Sequence, residues 1–126
     1  MKTENISILV VDDDEASRAY VTEILAARNW RVDTAEDGPS SLALVEQQLY
    51  DLVVLDYRMP GMNGAELCRR IRELQPAVRG VFLTGFPTID TVYPAIAAGA
   101  DHVLAKPVDR AELLRVVDQE VAGMYV

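Results

Sequence analysis

The sequence is poor in cysteine, in positive charge and in long apolar runs, and each shortage excludes something. Cys68 is its one thiol, which rules out an internal disulfide framework and fits a reducing compartment. Twelve basic residues against twenty acidic ones give a net charge of −8. Binding of this domain to a phosphate backbone is therefore not expected, and metal ions or basic partner surfaces are favoured. No run approaches the roughly 18 apolar residues of a membrane span. The opening MKTENIS lacks an apolar signal region, so the chain reads as cytoplasmic and soluble. Linkers, internal repeats and low-complexity segments are missing too.

What is present is one ordinary globular domain over residues 1–126, half apolar and a quarter charged. Its most informative stretch is Leu52 to Gly64, LVVLDYRMPGMNG. Leu52-Val53-Val54-Leu55 has the character of a strand buried on both faces of a parallel sheet. It stops on Asp56. A carboxylate there is poorly placed for stability but well placed for chemistry, since open α/β sheets bind ligands at the carboxyl ends of their strands. Taken alone, the stretch fits either a ligand site or a buried acid bonded to its own loop.

The rest of the chain alternates strands and helices. Ile6 to Val11 is the first strand, ending in Asp12-Asp13-Asp14, one of which caps a helix with Tyr20, Val21, Ile24 and Leu25 inward. Arg31 to Ala35 is a polar edge strand, and Pro39 starts a helix with Leu42, Val45 and Leu49 inward. After the central strand, Asn63-Gly64 opens a third helix with Leu67, Ile71 and Leu74 inward and Cys68 as a small core thiol beside them. Val81-Phe82-Leu83 is the fourth strand, ending on Thr84-Gly85. The fourth helix spans Thr88 to Ala98, kinked or shortened by Pro94 and closed by Gly99. Val103-Leu104 is a very short fifth strand before Lys106-Pro107, and Asp109 caps a last helix with Leu113, Val116 and Val117 inward. Five such alternations imply a parallel sheet with helices on both faces.

Asp12, Asp13, Asp14, Asp56, Thr84 and Lys106 all follow strand ends and so share one edge of the sheet, with strands about 4.8 Å apart. Carboxylates so close need positive charge among them. Lys106 supplies one, and Mg²⁺ suits the remainder because it takes a few carboxylate oxygens and keeps several waters. Asp56 can serve as a nucleophile, with the cation, Lys106 and Thr84 neutralising or bonding a phosphoryl group. Asp14 reads as a helix cap only.

The order VVDD, LDYRMPGMNG, LTG, AKP resembles the receiver domain of two-component response regulators, over essentially the whole chain from Ile8 onward. The resemblance implies a flavodoxin-like, doubly wound (βα)5 fold with a five-stranded parallel sheet in the order 2-1-3-4-5. It implies phosphoryl transfer to Asp56 from a sensor histidine kinase or a histidine phosphotransfer protein. It implies Mg²⁺ held by Asp13, Asp56 and the backbone carbonyl of Arg58, with Asp12 acting through water. Thr84 and Lys106 would contact the phosphoryl group, and Lys106-Pro107 would be cis. Such a domain catalyses only its own phosphorylation and dephosphorylation, and meets an output partner or output domain through its helix 4, strand 5 and helix 5 face.

The sequence departs from the pattern at Val103, where members usually carry the Tyr or Phe of a conformational switch. His102 should face the other way as an ordinary surface residue. Val92, Val103 and Val108 suggest an apolar output face, the alternative being that they face the core. Phe86, two residues after Thr84, offers no group to position an attacking water, so slow loss of the phosphoryl group is expected. Three other readings fit less well. A phosphohydrolase would need a substrate cap that has no room here. A flavodoxin-like cofactor binder would need a phosphate-cradling loop where three acids stand. A domain that kept the fold and lost the chemistry would not need both the acids and Lys106. A stand-alone receiver and the first part of a longer regulator both remain open.

Overall fold

The computed structural model describes residues 6–85 and 88–124. Strands and helices alternate as β1 (Ser7–Val11), α1 (Glu15–Ala26), β2 (Arg31–Ala35), α2 (Gly38–Gln47), β3 (Leu52–Asp56), α3 (Gly64–Leu74), β4 (Arg79–Thr84), α4 (Ile89–Ala97), β5 (Ala100–Ala105) and α5 (Arg110–Gly123). The five strands form one parallel sheet in the order β2-β1-β3-β4-β5. This is the flavodoxin-like arrangement. No helix among the described residues is long and apolar enough to cross a membrane.

Every residue of β3 is buried, as befits a central strand covered on both faces. Alternate side chains feed two cores. Val10, Val54, Val81, Leu83 and Leu104 meet α1 and α5 on one face. Leu9, Val11, Val53, Leu55 and Phe82 meet α2, α3 and α4 on the other. Carboxylate and amide side chains start the helices. Asp14 caps α1, Asp37 caps α2, Asn63 caps α3 and Asp109 caps α5, each accepting a backbone N–H from three residues on. Gly99 follows α4 with φ +104°, a backbone conformation that glycine adopts without strain.

The helix stripes read from sequence hold in part. Val21, Ile24, Leu25, Val45, Leu67 and Ile71 are buried. Tyr20, Leu49 and Leu74 are exposed instead, at 47%, 80% and 52%. Leu49 lies beyond the end of α2 at Gln47, so helical spacing no longer governs it. Tyr20 stands at the rim, where its hydroxyl reaches the Val108 carbonyl.

β5 is six residues long rather than very short. Its first half was hidden by the polar Asp101 and His102, each of which has a role. The Asp101 carboxylate accepts the Gly80 N–H at 2.8 Å, and His102 Nε2 lies 3.1 Å from Glu120 on α5. His102 thus faces α5, away from Val103, as strand alternation requires. α4 has nine residues, the fewest of the five helices, and continues through Pro94.

Candidate functional site

The parallel register sets the site. Val11 pairs with Leu55, so Asp12 comes level with Asp56 as the two chains leave the sheet. Asp56 pairs with Leu83, and Thr84 pairs with Ala105, which brings Lys106 to the same edge. Lys106-Pro107 is cis.

Asp12, Asp13 and Asp56 offer one carboxylate oxygen each within 4.8 Å of one another. Lys106 Nζ stands 3.0 Å from Asp12 Oδ2 and 3.4 Å from Asp56 Oδ1. Asp12 and Asp56 are buried, at 2% and 7% exposure, while Asp13 faces solvent. Thr84 is buried at the end of β4, between the strands that carry Asp56 and Lys106. Asp12, Asp13, Asp56, Thr84 and Lys106 therefore share one edge. Asp14 stands apart from them as the cap of α1. Phe86 lies outside the described residues.

The two buried carboxyls are pushed apart in acidity. Burial raises Asp56 to about 6; Lys106 offsets part of the rise and the charge of Asp12 adds to it. A backbone hydrogen bond from Arg58 stabilises its ionised form. Burial also acts to raise Asp12, but hydrogen bonds from Ser17, the Asp14 backbone and Lys106 prevail and hold it below the ordinary value. Burial opposes the charge on Lys106, yet its two carboxylate partners keep its pKa raised. Asp12 and Asp56 thus share one ammonium, with the Asp13 side chain beside them.

That donor set fits a hard divalent cation. Three carboxylates converge, Asp13 is open to solvent, and one lysine leaves negative charge uncompensated.

Sequence reasoning missed two residues here. Ser17 Oγ donates to Asp12 Oδ2 at 2.7 Å, and Arg18 donates to the Asp12 carbonyl at 2.8 Å. Both sit in the first turn of α1, where a serine and an arginine carry no signal of their own. The proposed apolar face needs correcting. Val108 is buried in the core beneath α1 and α5, whereas Val103 packs on the opposite side of the sheet. Val108 lies beyond the end of β5 and is buried, Val103 lies within it and is partly buried, and the two do not share a face. Among the described residues, the large apolar side chains exposed on α4 are Tyr93 and Ile96.

A sequence model of the family described as "Response regulator receiver domain" matches residues 8–118. The chain is 33% identical over 125 residues to the transcriptional regulatory protein ZraR of Escherichia coli (strain K12), covering 99% of this chain and 28% of that protein. It therefore spans little more than a quarter of the length of that curated relative. The BeF3-activated DrrB receiver domain superposes with a TM-score of 0.86 at 32% identity, covering 94% of this chain and 98% of the other. A response regulator protein from Burkholderia pseudomallei, solved with a phosphorylated aspartic acid, a calcium ion and citrate, superposes with a TM-score of 0.81. Its identity is 29%, and the match covers 87% of this chain and 65% of that one.

Proposed function

The chain belongs to the response regulator receiver family of two-component systems, and on that premise we propose that it accepts a phosphoryl group on Asp56 and changes its partner binding as a result. One observation carries the reading: Lys106 Nζ lies between Asp12 and Asp56, at a sheet edge where Asp13 joins them.

The donor is a phosphohistidine on a sensor kinase or a phosphotransfer protein. An Asp56 carboxylate oxygen attacks phosphorus, the P–N bond breaks as the P–O bond forms, and the imidazole leaves with the electron pair. Asp56 has the ionised form that this needs at neutral pH, since its pKa of about 6 still lies below 7. Lys106 stands close enough to move from the carboxylates to the incoming phosphoryl oxygens. Thr84, buried at the end of β4, donates its hydroxyl to another of those oxygens. Asp13, Asp56 and the carbonyl of Arg58 would hold Mg²⁺, with Asp12 acting through water, and the ion would supply positive charge to offset the charge on the phosphoryl group. The only catalysis is of the domain's own phosphorylation and dephosphorylation. We place the domain in the cytoplasm over residues 1–126, with its output through α4, β5 and α5. The DrrB and Burkholderia structures support the reading through their own BeF3 and phosphorylated aspartic acid.

Fluorine NMR tests it with beryllofluoride, a phosphoryl mimic. Bound resonances that need Mg²⁺ and vanish in Asp56→Asn are expected. Bound resonances that persist in Asp56→Asn would place the acceptor elsewhere.

A further inference from the structure

Asp12 and Asp13 are adjacent in sequence and differ in how they are held. Asp13 is exposed. The Asp12 carboxylate is gripped on both oxygens, with Oδ1 accepting the Asp14 N–H at 2.9 Å and Oδ2 accepting both Ser17 Oγ–H at 2.7 Å and Lys106 at 3.0 Å. A carboxylate has about four acceptor positions, and three are occupied here. Of the three donors, only Lys106 has a second claim on it, because Asp56 lies 3.4 Å away. When Lys106 turns to a phosphoryl group, the Asp14 N–H alone would not fix the rotation of the Asp12 side chain. The Ser17 hydroxyl would.

We infer that Ser17 is a positioning residue that keeps the Asp12 carboxylate aimed at the bound cation whichever partner Lys106 takes. This rests on reading the acidic edge as a Mg²⁺ site. Ser17 is well fixed for the task. Its own backbone N–H is tied to the Asp14 carboxylate at 2.8 Å, so the hydroxyl projects from the first, capped turn of α1. Arg18 braces the same acid from behind through the Asp12 carbonyl at 2.8 Å. With Oδ2 taken by Ser17 and Lys106, the fourth acceptor position of the carboxylate is the second lone pair of Oδ1. Outer groups that orient metal-binding carboxylates typically change affinity by about 10–100-fold when removed. A neutral hydroxyl on one of three carboxylates belongs at the lower end of that range.

The test is Mg²⁺ titration by calorimetry on the unaltered protein, Ser17→Ala and Ser17→Thr, each repeated in an Asp12→Asn background. Expected are a roughly tenfold weaker Kd for Ser17→Ala, near recovery with Ser17→Thr, and no effect of Ser17→Ala once Asp12 is replaced. Thermal melts in EDTA separate positioning from mere structure. The backbone cap survives in Ser17→Ala and alanine favours helix, so the melting temperature should hold. Equal Mg²⁺ affinity in Ser17→Ala and the unaltered protein overturns the inference and leaves the site standing. So does an equal loss in the Asp12→Asn background. Absence of saturable Mg²⁺ binding by the unaltered protein overturns both.

Discussion

Lys106 Nζ stands 3.0 Å from Asp12 Oδ2, a contact between residues 94 apart in sequence that ties the end of β5 to the end of β1. With Asp56 also at 3.4 Å, one ammonium compensates two buried carboxylates. Removing one partner of a fully buried pair costs about 3–5 kcal/mol. Lys106 keeps 24% of its side chain exposed, so Lys106→Ala should cost less, about 1–3 kcal/mol in EDTA. Its Mg²⁺ affinity should equal or exceed that of the unaltered protein, because a competing cation has gone. Urea denaturation and calorimetry check the two halves, and a weaker Mg²⁺ affinity would contradict the second.

Asp56 gives the opposite sign. Its folded-state pKa is about 6 against an ordinary 3.8, so the folded protein holds a proton that the unfolded chain has released. The group therefore costs nothing below about pH 4, and its destabilisation grows as pH rises and is complete above about 6. Asp56→Asn should be more stable than the unaltered protein by about 1–2 kcal/mol at pH 7.5 in EDTA, with the difference closing by pH 4. Urea melts at the two pH values measure it. An equal difference at both would remove the ionisation of Asp56 as its cause.

Gly64 explains why α3 begins where it does. A Cβ there would lie 2.7 Å from the Asp56 carbonyl oxygen and 2.9 Å from Tyr57 Cα, both backbone atoms that cannot step aside. The Gly64 N–H bonds to the Tyr57 carbonyl at 2.8 Å, which seats α3 directly against the end of β3. Gly64→Ala should cost about 1–3 kcal/mol and weaken Mg²⁺ binding, because the strain falls on the residue that bears the acceptor carboxylate. A loss of stability with Mg²⁺ affinity intact would show that Asp56 does not feel it.

At the far edge of the sheet Gln75 is buried, and its side chain joins three segments. Its Oε1 accepts the Tyr50 N–H at 2.8 Å, and its Nε2 donates to the carbonyls of Val45 and Gln48 at 2.9 and 2.6 Å. Replacing it with Met keeps the bulk and strands those backbone groups, at about 2–4 kcal/mol. Mg²⁺ affinity should stay unchanged, since the bridge is at the amino ends of the strands. Calorimetry beside urea denaturation tests that separation.

Much of this molecule was legible from local pattern. Apolar runs located β1, β3 and β4, a polar run located β2 as an edge, and acids marked the caps of α1 and α5. The strand-end residues were legible because parallel strands must deliver them to one edge. What could not be read depended on distant partners. Leu49 and Leu74 carry the right residue type at the right spacing, but α2 and α3 end before or at them. Asp101 and His102 look like loop until the Gly80 N–H and Glu120 on α5 are seen to meet them. Val103 and Val108 seemed to share a face, and only the sheet shows them on opposite sides. Ser17 is one more polar helix residue until its hydroxyl is found on Asp12.

The central claim is that Asp56 accepts the phosphoryl group with the help of a cation. Intact mass after incubation with acetyl phosphate, in Mg²⁺ and in EDTA, tests it most directly, for the unaltered protein and Asp56→Asn. One added phosphoryl group that appears only with Mg²⁺, and only when Asp56 is present, is the expected result. An adduct that forms equally in EDTA, or survives Asp56→Asn, would contradict it.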